Sequence, residues 1–580
     1  MVYISFYNNS NLFVEIKGFG DQTALIYESP LTSQKKKYSY KELLVKVNLL
    51  SIFLRNEGVK RGLTVMIYMP MIPEAVVAML SVARLGAIHS VVFGGFAEKE
   101  FSKRIVDANP VIILTASAGI EPKKIINYKP LVANAIKLSG LNPKVLLFQR
   151  KEIPEVPLND SFGEKDWEKE LAIIESKGAE NVTPVPISSN DPLYLLCVVR
   201  ECGGHAVAAA WSMQNIFGMK PGDVFFCASD IGWVVGHTYI VYAPLLSRVT
   251  TVLYEGKPVG TPTAGKLWDM VEEYKINAIF TAPTSIRVIK REDPKGELFH
   301  KSKIKTLRAV FLAGERSDPA TLKHFGTMLG VPMIDNYWQT ETGWPITASC
   351  FFDGENRTKE KYGSAGLPCP GYNVVVLESE ETDEKLGNLA LKLPLPPGCA
   401  TTLWKNHSGY LKAYLNKFPG YFDLTDAGKV DDDAYVHILS RTDDVINVAG
   451  HRLSTGSMES CLSTHPNVAE SAVVAVHDKV KGELPIAFVV LKSDGNNSVN
   501  ICEDLKNLIR DEIGAIASLK SITIVPRLPK TRSGKVLRRC LRQIGDGQES
   551  FQIPATIEDS DCLEEIKKAF NEKSFLKSKI

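Results

Sequence analysis

Ser440-Arg441-Thr442-Asp443-Asp444-Val445-Ile446-Asn447-Val448-Ala449-Gly450-His451-Arg452 joins a long segment of one texture to a short segment of another. A brief apolar run sits between charged flanks and reads as a strand. Gly450 then lets the backbone turn or approach a neighbour closely. Alone, such a stretch is a solvated strand edge with surface ion pairs. What lies on either side of it decides the fold.

Upstream, Ser39 and Glu42 have the spacing of a capping box, and Leu43, Val47, Leu50 and Leu54 follow at helical intervals until Gly58. Residues 64–69 alternate like a strand. Pro73 opens a second helix that runs to Gly86, and His89 to Phe93 is strand-like. Asn109-Pro110 turns the chain into another apolar strand, Val111 to Leu114, and the pattern resumes at Lys144 to Phe148. Strands alternating with helices predict parallel βαβ units. Residues 150–190 are charged, carry Pro and lack periodicity, so they read as a surface excursion before the core resumes at Asp191 to Leu196. Further strands are expected at Ala278 to Thr281 and Leu307 to Leu312. From about Gly363 to residue 440, Gly, Pro and β-branched runs without helices predict a β-rich subdomain.

Downstream the pattern is compact: a helix over 455–463, strands over 470–476 and 485–491, a helix over 501–513 and a strand over 521–525. The predicted fold is therefore α/β. A large N-terminal domain (1–442) of βαβ subdomains includes the β-rich part, and a small α+β C-terminal domain (443–580) follows.

The bulk numbers agree. A chain of 580 residues exceeds one ordinary core and calls for roughly two to four subdomains. Its net charge of +2 supplies no electrostatic footprint for nucleic acid or an acidic membrane. Ten cysteines without a CxxC pair argue for free thiols in a reducing compartment, against a disulfide frame or structural zinc. The longest apolar region, Ala75 to Phe93, is interrupted by Arg84 and His89, so no membrane span is expected. Residues 1–7 have neither a signal-peptide nor a transit-peptide pattern.

Three constellations carry chemistry. In Tyr337-Trp338-Gln339-Thr340-Glu341-Thr342-Gly343, hydroxyls and an amide suit phosphate oxygens and Glu341 suits a hard cation, although the same residues also make an ordinary polar turn. Asp426, in Leu424-Thr425-Asp426-Ala427-Gly428, matches the paired hydroxyls of a ribose, and Arg441 adds a cation. Lys535 closes the loop Pro529-Lys530-Thr531-Arg532-Ser533-Gly534-Lys535, which is able to carry a point charge into a distant site. Lys530, Arg532, Lys535, Arg538 and Arg539 also compose a basic patch. No aromatic platform accompanies it, so nucleic-acid binding is not expected.

Together and in this order, these motifs resemble the acetyl/propionyl-CoA synthetase group of the adenylate-forming ligases, nearest its propionate-preferring branch. The resemblance runs from about Gly20 to the C-terminus. It rests also on Trp233-Val234-Val235-Gly236-His237, Tyr254-Glu255-Gly256, Thr281-Ala282-Pro283-Thr284, Ala313-Gly314-Glu315 and Asp443 to Arg452. It implies an acid–thiol ligase using ATP, Mg2+ and coenzyme A. Acid and ATP give acyl-AMP and diphosphate, and the CoA thiol then displaces AMP. By the same resemblance Gly314, Glu315 and Arg316 line the adenine site. Asp335, Asn336, Tyr337, Trp338, Gln339 and Thr340 run along the nucleotide, Thr340 and Glu341 are catalytic, and Glu341 holds the metal. Asp426 and Arg441 take the ribose, Arg452 the phosphates, and Lys535 the charge developing at adenylation. Asp443 is the hinge, Ala449 and Gly450 wall the thiol tunnel, and Lys123, Lys124 and Arg510 meet the CoA phosphates.

The acyl pocket implied is Trp233, Val234, Val235, Ala313 and Trp338. Trp338 blocks long chains, and Ala313 stands where acetate enzymes carry Val, so propionate is expected over acetate, with butyrate admitted. Lys535 on an exposed loop is expected to be a substrate for lysine acetylation and deacetylation enzymes. The resemblance implies the mitochondrial matrix, with the cytoplasm as the alternative.

One family feature is missing. After a strand like Leu193 to Leu196, relatives carry a Ser/Thr/Gly-rich loop ending in Pro-Lys-Gly that cradles the β- and γ-phosphates. Here Cys197-Val198-Val199-Arg200-Glu201-Cys202-Gly203-Gly204-His205 follows at once. Two readings stay open: an active ligase that tolerates the deletion, or a pseudo-ligase that binds nucleotide or CoA with adenylation impaired. The thiolation half should suffer less, because the missing loop holds the leaving diphosphate.

Overall fold

The computed structural model describes residues 18–577 apart from positions 95, 123, 197, 258–260, 300–303, 316, 352–358, 379–385, 443, 445, 449–450, 479–481, 493–499, 514–516, 518, 532–533 and 555. Two large sheets dominate. One has seven strands in the order Val198–Glu201, Pro192–Leu196, Ile88–Val91, Thr64–Tyr68, Ile112–Ala116, Lys144–Phe148, Glu164–Asp166. All its neighbours are parallel except the first pair. The other has nine strands. Its parallel centre runs Met333–Tyr337, Ala309–Leu312, Ala278–Thr281, Val224–Cys227, Thr250–Tyr254, Thr23–Ser29. Every residue of Thr64–Tyr68, Ile112–Ala116 and Ala309–Leu312 is buried, as parallel strands covered by helices on both faces require. The first helix, Tyr40–Asn56, starts at the expected capping box: Ser39 Oγ accepts from the Glu42 amide at 3.1 Å, and Glu42 Oε2 accepts from the Ser39 amide at 2.7 Å.

An antiparallel sheet of Val374–Leu377, Gly387–Lys392, Tyr421–Val430 and Val436–Arg441 follows. It is not purely β. The helical turns His407–Tyr410 and Leu411–Leu415 lie within this stretch, too short to give a periodic signal. The C-terminal part builds a five-stranded sheet around Val468–Asp478 and Gly482–Leu491, with Ser521–Ile524 added in parallel. Apolar clusters cover both its faces, one including Leu462, Val473, Val489 and Leu505, the other Val474, Phe488, Leu541 and Ile566. The fold is thus α/β with a β-rich part and a small α+β C-terminal region.

One further feature departs from the sequence reading. Residues 150–190 are more than a surface excursion. Glu164–Asp166 extends the seven-stranded sheet and the helix Trp167–Ser176 follows, with Asp166 Oδ1 accepting from the Lys169 amide at 2.9 Å. That helix fully buries only Trp167 and half-buries Leu171 and Ile174, a short period set among charged residues. The missing loop agrees with the sequence. Leu196 pairs directly with Val198 in an antiparallel hairpin, so the two strands meet across a single intervening residue. Among the described residues no helix is long and apolar enough to cross a membrane.

Candidate active site

A cavity of about 2070 Å³ opens at the carboxyl ends of the nine-stranded sheet, where open α/β sheets place ligands. Its walls include Ala228–Asp230, Thr281, Ala313–Glu315 and Asp335–Glu341 from strand ends, Asp426 and Arg441 from the antiparallel sheet, and Lys530, Gly534 and Lys535 from the C-terminal region.

Asp426 organises one side. It pairs in register with Arg441 on the next strand, whose Nε lies 3.6 Å from Asp426 Oδ1. Asp426 Oδ2 accepts from the Tyr337 hydroxyl and from Gln339 Nε2 at 2.7 Å, and Gln339 Nε2 also reaches Leu424 O at 2.6 Å. Burial lifts the Asp426 carboxyl above its ordinary value against the Tyr337 hydrogen bond, Arg441, Gln339 and Lys535, all of which pull it down. Lys535 therefore sits within electrostatic reach of Asp426. Thr425 has φ +53°, a strained value for a β-branched residue, immediately before this carboxylate.

Asn336 lines the same cavity and is 3% exposed, yet neither end of its carboxamide has a hydrogen-bond partner among the described residues. A buried amide of this kind is satisfied by a ligand edge that offers one donor and one acceptor. Gly314, at φ +101°, forms the adjacent wall. Glu315 lines it too, but its carboxylate is already engaged by the Thr284 amide at 2.9 Å, the Thr284 hydroxyl, and Arg287 Nη2 at 2.6 Å. Burial would raise this acid; Arg287, the Thr284 bond and Lys530 outweigh it, and the net shift is downward. Glu341 Oε1 accepts from the Tyr414 hydroxyl at 2.6 Å.

Trp233, Val234, Val235, Ala313 and Trp338 all reach the cavity. Trp338 is held edge-on by Tyr239 at 5.5 Å and stacked near Phe280 at 6.3 Å, and Trp233 packs on Phe93 at 5.4 Å. Asp230 joins them, its carboxyl pushed up to about 6 by burial against the Gly232 amide it accepts from at 2.7 Å.

The Lys535 loop is docked on the large part. Its backbone is closed by the Thr531 amide donating to Lys535 O at 2.8 Å, and Gly534 O accepts from Thr284 Oγ1 at 3.4 Å. Lys535 itself is exposed. Lys257 and Glu558 add an exposed ion pair across the same boundary. Lys124 lies on the cavity rim, whereas Arg510 is exposed on the helix Ile501–Glu512 and does not line the cavity. Lys123, Arg316, Asp443, Ala449 and Gly450 lie outside the described residues, as does the side chain of Arg452. Arg287, Asp230, Tyr414 and Arg200 were not legible as site residues, because none belongs to a local motif of nucleotide chemistry; Thr284 lies in a motif that carries the resemblance, with no role attached to it.

The sequence matches the AMP-binding enzyme family over residues 12–394 and the AMP-binding enzyme C-terminal domain over 457–535. The chain belongs to the AMP-binding enzyme family. This AMP-binding enzyme is 48% identical over 569 residues to an uncharacterized protein of Pseudomonas aeruginosa, covering 95% of this chain and 89% of that one. It is 45% identical to the Homo sapiens acyl-CoA synthetase short-chain family member 3, mitochondrial, over 95% of this chain and 82% of the human protein. It is 41% identical to the propionate–CoA ligase of Salmonella typhimurium, over 95% and 89% of the two chains. Among solved structures, acetoacetyl-CoA synthetase from Streptomyces lividans superposes with a TM-score of 0.81 at 20% identity, covering 95% of this chain and 84% of that one, which bears on the fold. These relatives place the enzyme among the acyl-CoA synthetases, acid–thiol ligases that use ATP, Mg2+ and CoA.

Proposed function

We propose that this synthetase converts propionate, and acetate less well, to the CoA thioester through an acyl-AMP. The observation that carries the reading is the convergence of the unpartnered Asn336 carboxamide, the Asp426–Arg441 pair and Lys535 on one cavity. The Asn336 amide complements the donor–acceptor edge of adenine. Asp426 and Arg441 take the ribose, with Gln339 and Tyr337 fixing the carboxylate. A propionate oxygen attacks the α-phosphorus and diphosphate leaves, while the Lys535 ammonium balances the negative charge that builds there. Thr340 and Arg452 receive the diphosphate; Glu341 would hold the Mg2+, which would supply neutralisation of phosphate charge there.

Trp338 closes the acyl pocket to long chains, and Ala313 leaves room for one methylene beyond acetate. In the second half-reaction the CoA sulfur attacks the acyl carbon and AMP departs. We place the domain division at Asp443, with 443–580 turning to remove Lys535 and to bring Ala449 and Gly450 beside the pantetheine. Lys123, Lys124 and Arg510 receive the CoA phosphates. The mitochondrial names of its animal relatives support a matrix location, and the exposure of Lys535 supports control by acetylation.

Two reaction mixtures test the proposal: propionate, ATP, Mg2+ and CoA, and propionyl-AMP with CoA. Thioester should form in both, with kcat/KM for propionate about tenfold or more above that for acetate. Product from propionyl-AMP alone would sink the adenylation half, and product from neither would sink the whole.

A further inference from the structure

Arg200 is fully buried in the edge strand Val198–Glu201, directly after the shortened turn. Its guanidinium donates to the carbonyl oxygens of Thr340 and Gly398 and reaches Glu341 O at 3.5 Å. Among the described residues no carboxylate lies within ion-pair distance of it, and its Nε has no partner. A buried cation held by carbonyl dipoles beside the Tyr194 side chain, with no carboxylate to balance it, is costly, and its position calls for a reason.

The acceptors supply one. Thr340 and Glu341 form the loop proposed to hold the nucleotide and its metal, and the guanidinium takes their carbonyls from behind. The loop is shaped to receive it. A Cβ on Gly343 would fall 2.6 Å from the guanidinium carbon, and Gly343 has φ +75°. The rest of the strand is fastened to the same surroundings. The Val199 amide donates to Thr402 O at 3.1 Å, and the Ala400 amide donates to Glu341 O at 2.7 Å. Strand, loop and the 398–402 segment are therefore tied together with Arg200 at the junction.

We infer that Arg200 is a positioning residue for the Thr340–Glu341 loop, and that its uncompensated charge favours the polyphosphate end of the nucleotide. The inference rests on the nucleotide site proposed above. It assigns the ordering of that end to a residue of the very hairpin that lacks the hydroxyl-rich loop. Two consequences differ from those of a merely structural side chain. Ligands that stop at the α-phosphate are insensitive to Arg200, because Asn336, Asp426 and Arg441 lie on other elements. Ligands that extend past it are sensitive.

The test is calorimetric titration of the full chain with AMP and with Mg2+–ATP, for wild type, Arg200→Lys and Arg200→Met. AMP should bind all three within about twofold. Mg2+–ATP should weaken by about tenfold or more in Arg200→Met and less in Arg200→Lys, which keeps the charge and loses the fork. If Arg200→Met does not fold, Arg200→Lys and Gly343→Ala, which presses on the guanidinium, carry the same comparison. Equal weakening of AMP and ATP, or no weakening of either, overturns the inference. A wild type that binds neither nucleotide overturns the nucleotide site as well. A wild type with the AMP/ATP split that makes no propionyl-CoA leaves Arg200 in place and removes only the substrate assignment.

Discussion

The Tyr414 hydroxyl donates to Oε1 of Glu341 at 2.6 Å. Burial, reinforced by this carboxylate, pushes the phenol upward in pKa, so Tyr414 stays protonated and remains a donor at any physiological pH. The bond fixes one oxygen of Glu341 and leaves the other for a cation. Tyr414→Phe should therefore loosen the carboxylate without removing it. Losing about 1 kcal/mol of orientation predicts a Mg2+ requirement raised about fivefold, with kcat at saturating Mg2+ within about twofold of wild type. A Mg2+ titration of the initial rate reads this directly, and an unchanged midpoint would separate Tyr414 from the metal.

Ala313 is 9% exposed and faces the cavity beside Trp338, whose ring Tyr239 and Phe280 hold in place. The floor cannot retreat, so added volume is felt by the ligand. Ala313→Val should cut kcat/KM for propionate roughly tenfold while changing acetate by less than about threefold, since one methylene in an apolar pocket discriminates by about 1–3 kcal/mol. Rates with propionate, acetate and butyrate decide it. An unchanged propionate/acetate ratio would remove Ala313 from the acyl pocket.

The α/β architecture was legible because buried parallel strands such as Val111 to Leu114 are short apolar runs between helical periods, and Ser39 with Glu42 marks a helix start chemically. The helix Trp167–Ser176 was not, because it is short and sets one buried and two half-buried apolar side chains among charged ones. Local motifs likewise delivered Asp426, Tyr337 and Lys535 to one cavity. Partners supplied by distant chain stayed hidden: Tyr414 for Glu341, Arg287 for Glu315, and Arg200 for the 340–341 carbonyls. A lone Arg in an apolar strand reads as an interruption, and only the folded chain reveals that carbonyls converge on it.

Lys535 is exposed, docked through its loop against Thr284, and within electrostatic reach of Asp426. Its proposed role is confined to the first half-reaction. Lys535→Gln, which removes the charge as acetylation does, should lower propionate-dependent exchange of diphosphate into ATP by about a hundredfold or more. Thioester formation from supplied propionyl-AMP should stay within about threefold. A parallel fall in both halves would show that the loop serves the fold rather than adenylation.

A stability prediction comes from a buried His/Tyr cluster in the core. His89, His205 and His237 are buried with Tyr194 and Tyr242, with ring centroids 4.5 Å apart for Tyr194–His237 and 5.4 Å for His89–His237. His89 Nε2 meets the Tyr242 hydroxyl at 2.5 Å, while His205 Nε2 and His237 Nε2 have no partner among the described residues. Burial lowers all three pKa values, that of His237 to about 4 from 6.5. The folded state therefore keeps these rings neutral where the unfolded chain binds protons. Between pH 6.5 and 4 the unfolded state holds more protons, so stability is greatest above that window and falls as pH drops through it. His237 alone should cost roughly 3 kcal/mol by pH 4. Urea unfolding at stepped pH should give a slope that His237→Gln reduces by about one proton over this window, while the variant's own stability at pH 7.5 sets the baseline. An identical slope in wild type and variant would mean that this ring already carries its proton in the folded core.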